Sequence, residues 1–119
     1  MKKVLAVLIA LAMVVVFGCA PAKSKAKLIG LAMPETHVER WQMDGAALKA
    51  NAEAMGYQAE VTYGDADQAK QNQQIQDMLT KGAKLLVIGN INEGVIPVVA
   101  DAAKEKVIVI AYDRLITGS

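Results

Sequence analysis

From residue 27 onward, short continuous apolar runs alternate with longer stretches in which apolar residues recur at helical spacing. Residues 28–33, 84–88 and 107–111 are runs of the first kind, and residues 58–63 alternate as a strand near a sheet edge does. Residues 38–55 place Trp41, Leu48, Ala52 and Met55 on one helical face, with Gly56 suited to the C′ position that follows. Residues 67–81 put Ile75, Met78 and Leu79 on one face, open at Asp67, whose carboxylate suits an N-cap, and end at Gly82. Residues 94–105 predict a third helix, in which Pro97 is tolerable only within the first turn. The order is β-α-β-α-β-α-β. Strands apolar throughout, separated by amphipathic helices, predict a doubly wound α/β fold, a parallel sheet covered on both faces with residues 107–111 as a buried final strand.

The first nineteen residues carry an address. Lys2 and Lys3 precede an unbroken apolar stretch at residues 4–17, which ends in Gly18 and Cys19. Such a stretch is short for a membrane span, which needs roughly twenty apolar residues, and suits an export signal better. Cys19 is the chain's one cysteine, and a small residue before it at the end of the apolar run is similar to a bacterial lipobox, in which the thiol is acylated. Cleavage near Ala20 or Ala22, discarding Cys19, is the other reading. Residues 20–26 then form a short tether, and residues 27–119 the folded part.

Thirteen Lys and Arg against twelve Asp and Glu, two of those lysines lying in the leader, leave the exported part close to neutral. Nucleic acid would demand a basic field, and single strands would demand stacking aromatics, which make up only 4% of the chain. Neither is present, so no nucleic-acid partner is expected.

Open parallel sheets bind ligands beyond the carboxyl ends of their strands. Those ends carry Pro34, Glu35, Thr36 and His37, then Glu39, Arg40 and Trp41; Gly64, Asp65 and Asp67; Asn90, Asn92 and Glu93; and finally Asp113 and Arg114. An acid beside a guanidinium directly after an apolar run suits a polyol, since adjacent hydroxyls donate to the one and accept from the other. A structural ion pair is the alternative for Asp113 and Arg114. Trp41 either lines a cleft with its ring or anchors its helix to the core. The run ends close to Ser119, so the expectation is that this is the N-terminal part of a larger protein whose remaining chain completes the site.

Residues 37–42 (HVERWQ), 73–88 (beginning QQIQDMLTKG) and 110–116 (IAYDRLI) resemble the sugar-binding proteins of bacterial ABC importers, of the xylose-binding and multiple-monosaccharide-binding type. The resemblance covers residues 27–119. It implies a periplasmic-binding-protein fold of two lobes closing over one monosaccharide (xylose, glucose, galactose or arabinose-like), with residues 27–119 an incomplete first lobe. It implies sugar-binding roles for Arg40, Asp113 and Arg114, and weaker ones for Asn90 and Asn92. The implied partners are the monosaccharide, an ABC permease and its ATPase subunit, with a chemoreceptor or sensor kinase as the alternative recipient. The implied location is extracytoplasmic, touching the membrane only through the lipid on Cys19. Sugar-sensing repressors share this fold but carry a helix-turn-helix where this chain carries a leader.

An enzyme is the remote alternative. Glu35, Glu39 and Asp113 supply carboxylates, and His37 is the sole histidine. No nucleophile elbow, paired cysteines, zinc-helix motif or dinucleotide fingerprint accompanies them, so no catalytic residue, metal site or cofactor is expected.

Overall fold

The structure, a computed structural model, describes residues 25–118; the leader and Cys19 lie outside the described residues. Four strands and three helices alternate along it: β1 Leu28–Met33, α1 Glu39–Ala54, β2 Gln58–Tyr63, α2 Gln68–Thr80, β3 Leu85–Ile88, α3 Ile96–Lys104 and β4 Ile108–Ala111. A 3-10 turn, Glu93–Val95, leads into α3, and Pro97 falls in that helix's first turn, where its missing N–H costs nothing. All strand pairs are parallel, in the order β2-β1-β3-β4.

Alternation along each strand divides the core in two. Ile29, Leu31, Met33 and Val87 face α1, packing with Trp41 and Ala52. Ala32, Leu86 and Ile88 face the other way, against Ile75, Met78 and Leu79 of α2 and Val98, Val99 and Ala102 of α3. The sheet is thus wound on both faces, as the periodicity predicts. Helix α1 comes close because Gly45 has no side chain: a Cβ there would stand 2.8 Å from the Tyr63 hydroxyl and 3.0 Å from Val61.

Each helix hands the chain to the next strand through the same C-terminal motif. After α1, Gly56 (φ +88°) donates to Glu53 O and Tyr57 to Ala52 O; after α2, Gly82 (φ +90°) and Ala83 repeat the pair with Leu79 O and Met78 O. After α3 the left-handed position is held by Lys106 (φ +58°), which donates to Ala103 O while Val107 donates to Ala102 O. Asp67 caps α2 as expected, accepting from Lys70 N at 3.1 Å.

Two expectations need correction. Met55 is 68% exposed, because it caps α1 at the point where Gly56 reverses the chain and so leaves the helical stripe. Among the described residues strand β4, expected to be buried, is one of the sheet's two edges. Ile108 and Ile110 are 64% and 46% exposed on the α1 side, since α1 covers β1 and β2 and does not extend that far. Apolar residue types record a strand's tolerance for burial, and the neighbours decide whether burial happens.

Candidate functional site

The four strand ends are level. Gly64 N donates to Met33 O, Gly89 N to Ala32 O and Tyr112 N to Ile88 O, each within 3.0 Å, so the segments following β1, β2, β3 and β4 share one rim. Strand order reverses between β1 and β3, the place where such sheets open a crevice.

Arg40, in the first turn of α1, reaches across that crevice to the residue after β4. Its Nη1 and Nη2 each donate to Asp113 Oδ1 at 3.0 Å. Its guanidinium also lies over the Trp41 ring, 4.3 Å from the centroid. Asp113 is itself unusual: φ is +65°, and Arg114 N donates back to Tyr112 O at 2.8 Å, a three-residue turn with the aspartate at its apex. Left-handed backbone of this kind is tolerated by Asp and concentrates at ligand sites. The turn sends Arg114 in the other direction, where its Nη1 donates to Asn90 O at 3.3 Å and Ile91 O at 3.4 Å. Arg114 Nε stays 3.9 Å from Asp113 Oδ2.

Charge at this rim is mutually reinforcing. The hydrogen bond from Arg40 holds the Asp113 carboxyl below the usual carboxylate range, partial desolvation opposes this, and the attraction of Arg40 and Arg114 adds to it. The same bond raises Arg40 above its ordinary value. Asp113 therefore stays an acceptor and Arg40 a donor at neutral pH.

Arg40, Asp113, Arg114 and Asn90 form one continuous set of contacts. Asn90 is only 6% exposed, its Nδ2 is 3.5 Å from Asn92 O, and its Oδ1 is buried without a hydrogen-bond partner. A buried acceptor of this sort has use for a donor. Asn92 is not drawn into the set. Its Oδ1 accepts from Gly94 N at 2.8 Å to cap the 3-10 turn, and its N donates to Gln68 Oε1. Trp41 is 3% exposed and belongs to the core under the rim, where Gly89 leaves room for it: a Cβ on Gly89 would stand 3.4 Å from the ring.

Two residues that sequence reasoning passes over complete the arrangement. Tyr112 meets Trp41 edge-on, centroids 6.4 Å apart and planes at 68°, and burial followed by a hydrogen bond to Asp44 pushes its phenol above its ordinary value. Its signal in the sequence is the strand period, which sets it on the face of Ile108 and Ile110. Gln71, fully buried, donates to Gly89 O at 2.9 Å and ties α2 to the β3 end. The residues of the enzymatic alternative lie differently. His37 is 79% exposed, 3.8 Å from Glu35, and the ion-pair partners of Asp113 are the two arginines.

Fold and rim together define a doubly wound α/β domain with its charged side chains gathered at the carboxyl ends of the strands. The chain belongs to the periplasmic binding protein domain family, which it matches over residues 29–119. It is 39% identical over 121 residues to the multiple sugar-binding periplasmic receptor ChvE of Rhizobium radiobacter, covering 100% of this chain and 34% of that protein. It is 38% identical over 99 residues to a D-xylose-binding periplasmic protein of Haemophilus influenzae, covering 82% and 30%. Among solved structures, an ABC transporter solute binding protein from Clostridium phytofermentans with bound beta-D-glucose superposes with a TM-score of 0.76 at 40% identity, over 78% of this chain and 29% of that one. The chain spans about a third of the length of these relatives.

Proposed function

We propose that the whole protein is the substrate-binding component of an ABC sugar importer. It captures a monosaccharide between this rim and a facing surface and delivers it to a permease driven by its ATPase subunit. The observation that carries the reading is the convergence of Arg40, Asp113 and Arg114 at the carboxyl ends of the strands, with the unpartnered oxygen of Asn90 beside them. One fixed acceptor and two fixed forks orient a neutral polyol without transforming it. Closure over the sugar excludes water, and each hydrogen bond to a charged group then contributes about 1.5–3 kcal/mol. Cys19, acylated after export, holds the protein at the outer side of the membrane. A role in presenting sugar to a chemoreceptor or sensor kinase is the second reading, supported by the word receptor in the name of the 39% identical relative. Calorimetry of the full-length protein with xylose, glucose, galactose and arabinose tests the proposal. Binding of at least one of them, weakened tenfold or more by Arg114→Ala, is the expected result; an affinity unaffected by that change removes Arg114 from the site.

A further inference from the structure

The start of α2 carries three amides on one face. Gln68, Gln71 and Asn72 stand at i, i+3 and i+4, and each reaches a backbone group of the segment that follows β3. Gln68 Oε1 accepts from Asn92 N at 2.8 Å, Gln71 Nε2 donates to Gly89 O at 2.9 Å, and Asn72 Nδ2 donates to Gly94 O at 2.8 Å. The amides also bond one another, Gln68 Nε2 donating to Gln71 Oε1 at 3.0 Å and to Asn72 Oδ1 at 2.8 Å. A backbone N–H only donates and a carbonyl only accepts, so the three backbone partners fix which end of each amide is oxygen. The orientations so fixed are the ones that let Gln68 join the other two.

The residue type suits the place. Gln71 is fully buried, and Gln68 and Asn72 are half-buried. An amide offers a donor and an acceptor together without the cost of burying a charge, whereas a carboxylate or an ammonium supplies one half of the pattern only. Two glycines let the helix approach: a Cβ on Gly94 would stand 3.0 Å from Gln68 Cγ, and one on Gly64 3.0 Å from Gln71 Cβ.

The segment so gripped carries a residue of the rim. Among the described residues, 89–92 meet other backbone through Gly89 N, which donates to Ala32 O at 2.9 Å, and through Asn92 O, which accepts from Val95 N at 3.4 Å. Between the two points that α2 holds, Gly89 and Asn92, lie the carbonyls of Asn90 and Ile91, and both accept from Arg114 Nη1. The ion-pair contact of Arg114, Nε to Asp113 Oδ2, is 3.9 Å and too long for a hydrogen bond. The two carbonyls therefore set where the Arg114 fork points, and α2 sets where the carbonyls stand.

We propose that Gln68, Gln71 and Asn72 are positioning residues for the rim, a clamp that fixes residues 89–92 and, through their carbonyls, the Arg114 guanidinium. Its consequence for binding rests on the sugar contact of Arg114 proposed above: a group already held in place loses less freedom when a ligand arrives. The test is a double-mutant cycle of Gln68→Met and Arg114→Ala in the full-length protein, read by calorimetry with whichever of xylose, glucose, galactose and arabinose the wild type binds most tightly. Gln68→Met should weaken binding about tenfold when Arg114 is present and less than about twofold in the Arg114→Ala background. Asn72→Leu, run through the same cycle, takes its place if Gln68→Met fails to fold. Gln73→Ala, whose side chain bonds Asp77 Oδ1 of its own helix at 2.9 Å, binds as the wild type does. Equal losses in both backgrounds, or no loss in either, overturn the proposal. A second measurement needs no sugar: the rate at which the Arg114 guanidinium turns about its Nε–Cζ bond, read by NMR with the resonance assigned through Arg114→Lys. That rate should rise in Gln68→Met and in Asn72→Leu, and an unchanged rate overturns the clamp. If none of the four sugars binds, or Arg114→Ala leaves the affinity intact, the sugar contact of Arg114 has failed and the guanidinium rate alone decides for or against the clamp.

Discussion

Arg40 sends both terminal nitrogens to one oxygen of Asp113, 73 residues further along the chain, and leaves Asp113 Oδ2 3.9 Å from Arg114 Nε. The carboxylate is thus fixed by one arginine and open toward the other, an arrangement in which a hydroxyl can donate to Oδ2 while accepting from a guanidinium.

Removing the charge while keeping the shape isolates that role. Asp113→Asn in the full-length protein should weaken sugar binding by about one to two orders of magnitude, because a charged acceptor becomes a neutral amide. Titration calorimetry checks it, and an affinity equal to the wild type would assign Asp113 to structure alone.

Stability should respond to acid through the same pair. The Asp113 carboxyl is lowered in the folded state, first by the Arg40 hydrogen bond. The pair's stabilisation is therefore present at pH values above the ordinary carboxylate range and is lost as pH falls through the lowered folded value. Urea unfolding of wild type and Asp113→Asn should differ at neutral pH and converge on acidification. A difference that grows toward low pH would contradict the linkage.

Gly30→Ala should destabilise by about 1–3 kcal/mol. The added Cβ would lie 2.6 Å from Leu86 Cδ2 and 2.7 Å from Met78 Sδ, and both neighbours are fully buried, with nowhere to retreat. Chemical denaturation gives the number; an unchanged midpoint would mean that α2 can lift from β1 without penalty.

Lys106→Gly should stabilise by up to about 1 kcal/mol, the relief of left-handed strain less the entropy of the freer residue. The same denaturation series measures it. A loss of stability would show that the lysine stem packs more favourably than its backbone conformation suggests.

Much of this was legible in the residues. Apolar runs four to six long between amphipathic stretches named the elements, and Gly56, Gly82 and Asp67 marked helix ends because each answers a local backbone demand. The edge position of β4 among the described residues was not legible, since Ile108 and Ile110 have the same character as the buried Leu86 and Ile88. Nor was the turn at Asp113, whose positive φ is set by where Tyr112 and Arg114 are held. For the rim, residue types pointed to Arg40, Asp113 and Arg114, but the exposed Asn92 spends its Oδ1 on capping the 3-10 turn, and Gln71 entered the core because the Gly89 carbonyl at the end of the next strand awaited its amide.

Trp41 is the one tryptophan of this chain, flanked by the Arg40 guanidinium on its face and Tyr112 at its edge. Nature has thereby placed an optical probe one residue from the proposed ligand contact, shielded from solvent yet electrostatically exposed to whatever draws Arg40 aside. Occupancy of the rim should be visible as a change in indole emission, with no label attached.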